Sequence, residues 1–122
     1  MTSLIDEHLE GAKPDRAYVA VLFTDIVDST AHLVAAGDRR WREILDMHDR
    51  LAHQRVRAHH GRVVKGMGDG VLAVFPSAGD ALVAARTLTE DLTLLSLRVR
   101  CAIHVGEVEL RGGGDIGGLT ST

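Results

Sequence analysis

The sequence predicts an α+β sandwich of ferredoxin-like topology, an antiparallel sheet with helices on one face. Three observations carry that reading. The apolar residues change between strand and helix spacing in the order strand, helices, strand, strand, helix, strand. The two middle strands are separated only by the glycine-rich stretch around Asp69, so they form a hairpin and lie antiparallel. The longer helical segments each carry one apolar stripe, which asks for one covering surface.

Taken in order, residues 1–16 carry mixed charge and Pro14 and read as a leader or linker, so the domain is expected over 17–122. Tyr18 to Thr24 holds no charge and is rich in β-branched and aromatic side chains. It reads as a central strand covered on both faces and ending at Asp25. Asp28, Ser29 and Thr30 are helix-capping types, so the chain should turn over Asp25, Ile26 and Val27 and enter a short helix from Ser29 to Ala36, closed by Gly37. Asp38 is expected to cap a longer helix, in which Trp41, Ile44, Leu45, His48, Leu51, Ala52 and Val56 form the buried stripe. His59, His60 and Gly61 end it.

Arg62 to Lys65 and Val71 to Phe75 read as the hairpin strands, with Asp69 and Gly70 as the tight turn. Ser77 with Asp80 resembles a capping box, opening a helix that buries Ala81, Leu82, Ala85, Leu88 and Leu92. A fourth strand is expected from Leu97 to Leu110. Its Val99, Cys101, Ile103 and Val105 face the helices, Cys101 lying in the core, while Arg98, Arg100, Ala102 and His104 face something polar. The glycine-rich end GGGDIGGLTST supplies no core element.

Composition narrows the function classes. A chain of 122 residues suits one domain with one core, and 45% apolar with 25% charged residues is ordinary for a globular protein. A net charge of −3, no basic run and four aromatic residues argue against nucleic-acid binding. The acidic start is unlike a secretion signal, and no run approaches the roughly 20 apolar residues of a membrane span. Cys101 stands alone, so no internal disulfide forms, which fits a cytoplasmic location.

The stretch VAVLFTDIVDST is the chemical centre. An apolar strand that stops at a carboxylate and enters a helix N-terminus gathers unpaired N–H donors beside an acid. A phosphate and a carboxylate repel unless a hard cation bridges them, so a metal is implied. In the expected topology the first and third strands are neighbours, and Asp25 and Asp69 converge. Two carboxylates about 4 Å apart repel by roughly 4 kcal/mol at an effective dielectric near 20, which a divalent ion removes. The seven histidines are scattered and read as surface or half-buried, His104 being the one whose face suits a functional role.

FTDIVDST resembles the first metal-site motif of the class III nucleotidyl cyclase catalytic domain, especially of bacterial adenylate cyclases. KGMGDG resembles the second motif, AIHVGEV the strand beside the active site, and GDIGG the start of the next motif. The resemblance implies an enzyme converting ATP to 3′,5′-cyclic AMP and pyrophosphate with two Mg²⁺ or Mn²⁺ ions. It implies Asp25 and Asp69 as the catalytic metal ligands with Ile26 beside them, and the turn Ile26, Val27, Asp28 and Ser29 as the phosphate holder. Lys65 and Asp115 match the pair that reads the purine, which favours ATP over GTP. The family builds its sites between two head-to-tail domains, which implies a homodimer or a heterodimer with another cyclase domain.

Two departures accompany the resemblance. Thr122 stands in the slot of a transition-state asparagine, and the transition-state arginine has no counterpart, so the domain is expected to be incomplete at its C-terminus. Arg98 or Arg100 is a candidate for the substitute charge. The alternative is a catalytically deficient module that binds nucleotide or pairs with a complete cyclase chain. A third, unrelated reading is a regulatory domain in which the aspartates only form turns.

Overall fold

The structure, a computed structural model, describes residues 16–110 and 116–117. Its elements are β1 (Arg16–Ile26), α1 (Ser29–Ala36), α2 (Asp38–Ala58), β2 (Arg62–Gly66), β3 (Gly70–Phe75), α3 (Ala78–Thr93), β4 (Val99–Leu110) and the two-residue β5 (Ile116–Gly117). The sheet has the order β2-β3-β1-β4-β5, with every pairing antiparallel. β1 is therefore central, as the uncharged run from Tyr18 to Thr24 implies, with β3 paired along one side and β4 along the other.

Register assigns the two faces. Leu22 lies opposite Ala73 and Ile103, and Thr24 opposite Val71 and Cys101, all on the side covered by helices. Ala20, Leu22, Ala73 and Phe75 pack with Val56 of α2 and with Ala81, Ala84 and Ala85 of α3. Nearer the other end, Ile26 and Val71 pack with Trp41, Ala52, Leu88, Leu92 and Leu97. The opposite face carries Val19, Val21, Phe23, Val64, Leu72 and Val74 with none of the described helices over it. Helices cover one side of β1 alone, yet on the other side Val21 is 1% and Val74 9% exposed, so β1 is buried on both faces as expected.

Four local expectations change. Asp38 is the first residue of α2 rather than its cap; Gly37 occupies that position at φ 84° and ψ 163°, a conformation reserved for glycine, and joins α1 to α2 by itself. The positive φ of the hairpin falls on Gly68, not on Gly70, and Met67 N–H closes the loop on the Gly70 carbonyl at 2.9 Å. On α3, Leu82 is 61% exposed and Ala84 is buried in its stead, because small alanines let the helix lie close along that line. Cys101 faces the helix layer as its parity requires, yet it is exposed, because α3 covers β4 only in part. Its Sγ lies 3.8 Å from the Thr89 hydroxyl, and burial of the sulfur raises the thiol pKa.

Ser77 caps α3: its hydroxyl accepts from Asp80 N–H and donates to the Asp80 carboxylate, both at 3.1 Å. His48, on the apolar stripe of α2, is fully buried rather than half-buried, with Nδ1 3.0 Å from the Asp49 carboxylate.

Two helices are tied by a bidentate pair, Arg55 Nε and Nη2 donating to the two Asp91 oxygens at 2.5 and 2.9 Å. The hydrogen bond from Arg55 holds the Asp91 carboxyl below its ordinary pKa, with burial opposing. A depressed carboxyl stabilises the fold above its unfolded pKa and loses that contribution as pH falls through the folded value. Asp91→Asn is therefore expected to melt below the wild type at pH 7, with the gap closing in acid below the ordinary carboxylate range. A gap of the same size at pH 7 and in that acid range, in paired thermal melts, contradicts the assignment.

Candidate functional site

The site forms where β1 runs out. Asp25 lies opposite Gly70 on β3 and Arg100 on β4. Its side chain projects to the open face of the sheet, and the residue is exposed. Beyond it the chain is pinned from both neighbours: Ile26 N–H donates to the Asp69 carbonyl at 2.9 Å and Val27 N–H to the Arg98 carbonyl at 2.8 Å. The two acids expected to converge are thus linked through the main chain. Gly70 permits this closeness. A Cβ there would stand 1.9 Å from the Thr24 carbonyl oxygen, so any side chain would drive β1 and β3 apart.

The turn into α1 is completed by Asp28 in the left-handed region, at φ 58° and ψ 41°. Short polar residues tolerate that conformation better than others, at a modest cost. His32 N–H closes the first helical turn on the Asp28 carbonyl at 3.1 Å, but the Asp28 side chain caps no N–H. The leading N–H groups of α1 accordingly have no partner within the helix, and the positive end of its dipole faces the cleft.

Asp25, Ile26, Asp28, Ser29, Thr30, Ala31, Asp69 and Arg100 line one open cleft of about 540 Å³. A second hollow of about 620 Å³ shares Asp25, Asp69 and Arg100 and adds Phe23, Thr24, Met67, Cys101 and Ala102. The two together give a charged end and a more apolar end around the same residues. The walls of the first carry three carboxylates against one guanidinium, an excess of two negative charges that attracts a cation. The donors are hard oxygens, which fit Mg²⁺ or Mn²⁺ and not a soft metal. Among the described residues no group of three or more His, Cys, Asp or Glu forms a metal cage. An ion here would complete its shell with backbone carbonyl, water or ligand oxygens, the mode usual for Mg²⁺.

The expected residues divide. Asp25, Ile26, Asp28, Ser29 and Asp69 all line the cleft. Val27 contributes its backbone to the turn. Lys65 is exposed on β2, which β3 separates from β1, and it does not line the cleft. Asp115 and Thr122 lie outside the described residues. Arg98 lends its carbonyl to the turn but is not a wall residue, whereas Arg100 lines both hollows. From the sequence Arg100 was legible as a polar-face residue of the fourth strand and, with Arg98, as a candidate for the substitute charge. Its place beside Asp25 follows from cross-strand register, which a single sequence does not display.

Comparison with known proteins gives the fold a context. No family model matches the chain. Over 98 residues the chain is 29% identical to the serine/threonine-protein kinase pkn2 of Myxococcus xanthus, a match covering 74% of this chain and 12% of that protein. Among solved structures, a bacterial light-regulated adenylyl cyclase superposes with a TM-score of 0.75 at 17% identity, covering 85% of this chain and 64% of that one. The adenylyl cyclase CyaB from P. aeruginosa gives 0.74 at 16% identity, over 84% and 65% of the two chains. The guanylate cyclase domain of RhGC from Catenaria anguillulae, in complex with GTP, gives 0.73 at 18% identity, over 85% and 68%. The fold is that of adenylyl and guanylyl cyclase catalytic domains, and the chain spans about two thirds of the length of these structures.

Proposed function

We propose that the chain is a nucleotidyl cyclase domain that takes ATP to 3′,5′-cyclic AMP and pyrophosphate, at a cleft completed by a second cyclase domain. The observation that carries this is the meeting of Asp25, Asp69, Arg100 and an uncapped helix N-terminus in one cleft of a cyclase-type fold. In the reaction the ribose 3′-oxygen bonds to the α-phosphorus, the bond to the bridging oxygen breaks, pyrophosphate leaves, and the hydroxyl proton passes to water. The two divalent ions that Asp25, Asp69 and Ile26 would hold supply phosphate-charge neutralisation and a lowered pKa for the 3′-hydroxyl. Within the turn from Ile26 to Ser29, the Ile26 and Val27 N–H groups are engaged by the Asp69 and Arg98 carbonyls, so phosphate oxygens are bound by the N–H groups of Asp28, Ser29 and the residues that open α1. Arg100, across the cleft wall from Asp25, supplies positive charge to the same oxygens. These groups position the reactants in line, which is most of what phosphoryl chemistry asks of a protein.

The pairing of two domains is supported by the apolar face of β1, β2 and β3 that no described helix covers, where Val19, Phe23, Val64 and Leu72 stay partly exposed although Val21 and Val74 are buried. It is supported also by Lys65, which as a purine reader acts more naturally on a facing chain's cleft than on its own. Lys65 donating to a ring nitrogen and Asp115 accepting from the exocyclic amine suit adenine and mismatch guanine. No described helix is long and apolar enough to cross a membrane. A second reading, a catalytically deficient nucleotide-binding or dimerisation module, is favoured by Thr122 in the place of a transition-state asparagine.

Incubating the purified chain with Mn²⁺ and either ATP or GTP tests all of this by chromatography of the products. Cyclic AMP formed in excess over cyclic GTP is the expected result. Metal-dependent ATP binding without any cyclic product moves the conclusion to the second reading, and equal use of both nucleotides removes the base assignment.

A further inference from the structure

Helix α1 presents the phosphate donors, yet none of its residues is buried. A single residue, Gly37 at φ 84°, joins it to α2. Such an element sits at the low-stability end of a fold. Two contacts hold it: Leu33 packs against the core cluster around Trp41, and the His32 imidazole lies on the Trp41 indole with centroids 5.6 Å apart and planes inclined by 1°. Trp41 is an immobile platform, 7% exposed and packed among Ile26, Ala52, Leu88, Leu92 and Leu97. The His32 backbone meanwhile closes the first turn of α1 on Asp28, a wall residue of the cleft. One residue therefore touches the core platform with its ring and the phosphate turn with its main chain.

We infer that His32 is a positioning residue for the anion site: stacked on Trp41, it fixes the angle at which α1 offers its leading N–H groups, and so sets affinity for a polyphosphate. The inference rests on the reading that the turn from Ile26 to Ser29 holds phosphate. It extends that reading to a residue outside the cleft that touches neither metal nor nucleotide. Loss of the ring leaves Asp25 and Asp69 in place, since both are held by the β1–β3 ladder and the bond from Ile26 to Asp69. Polyphosphate binding and metal binding should therefore separate.

The test is calorimetry on the full chain and on His32→Ala and His32→Phe, with Mn²⁺ alone and then with inorganic tripolyphosphate in the presence of Mn²⁺. His32→Ala is expected to weaken tripolyphosphate binding about tenfold, the scale of one aromatic stack, and to leave Mn²⁺ binding unchanged. His32→Phe, which keeps a flat ring, is expected to restore the wild-type affinity to within about twofold. Wild-type affinity in His32→Ala overturns the inference. So does parallel loss of Mn²⁺ and tripolyphosphate, or failure of phenylalanine to rescue, because each marks a general structural role. If the wild-type chain binds Mn²⁺ but no tripolyphosphate, the phosphate reading itself falls and takes the inference with it.

Discussion

Asp25→Ala is expected to weaken Mn²⁺-dependent ATP binding severely and to leave the fold standing. The carboxylate is one of the two that are expected to hold the ions, and the other, Asp69, is fixed too firmly by its main-chain bond to shift and replace it. Without a bridging ion the nucleotide phosphates meet an acidic cleft, so the expected loss of affinity is on the order of a hundredfold or more. Stability should change little, because Asp25 is exposed and exposed substitutions fall within about 0.5 kcal/mol. Calorimetry with Mn²⁺ and ATP reads the first quantity and a thermal melt the second. Unaltered binding in the variant discards the metal assignment.

Gly70→Ala should instead strongly destabilise the domain. Its Cβ would meet the Thr24 carbonyl oxygen at 1.9 Å and the carbonyl carbon at 2.9 Å, both backbone atoms of the central strand that cannot rotate away. Relief requires β1 and β3 to part, and with them go the bond from Ile26 to Asp69 and the 3.1 Å bond from Val71 N–H to the buried Thr24 hydroxyl. Overpacking against side chains costs about 1–3 kcal/mol, and a backbone clash with broken ladder bonds belongs above that range. Gly66→Ala is the matched control, since a Cβ at Gly66 meets nothing within 4 Å. In urea denaturation the first variant should lose at least about 1 M in midpoint and the second almost nothing. Equal midpoints would show that the close approach is not a constraint.

These cases show what a sequence makes legible. α1 was readable to the residue because capping-type residues precede it and Gly37 follows it, although the Asp28 side chain caps no N–H. The convergence of Asp25 and Asp69 followed from topology, which the element order discloses. Gly70 was read as a turn residue for its neighbour Asp69, whereas its need is a close approach to a strand more than forty residues away. Arg100 and Leu82 were misjudged or undervalued for a related reason. The first depends on which residue of β1 it opposes, and the second on how deeply an alanine-rich helix can settle. Cys101 looked like core from its parity, but parity assigns a face, not the extent to which a helix reaches across it.

The central position of β1 has a consequence for biosynthesis. The strand made earliest among those described has both of its partners, β3 and β4, later in the chain, and β4 is complete only at Leu110. At about 5–20 residues per second, the ribosome adds the intervening stretch in roughly 4–17 s. Throughout that time the most apolar segment of the protein has at least one bare edge, the arrangement that invites pairing with another nascent chain. The carboxylate at Asp25 and the polar turn after it interrupt that sticky stretch at its end, so the residues placed for chemistry also serve as gatekeepers while the chain is incomplete.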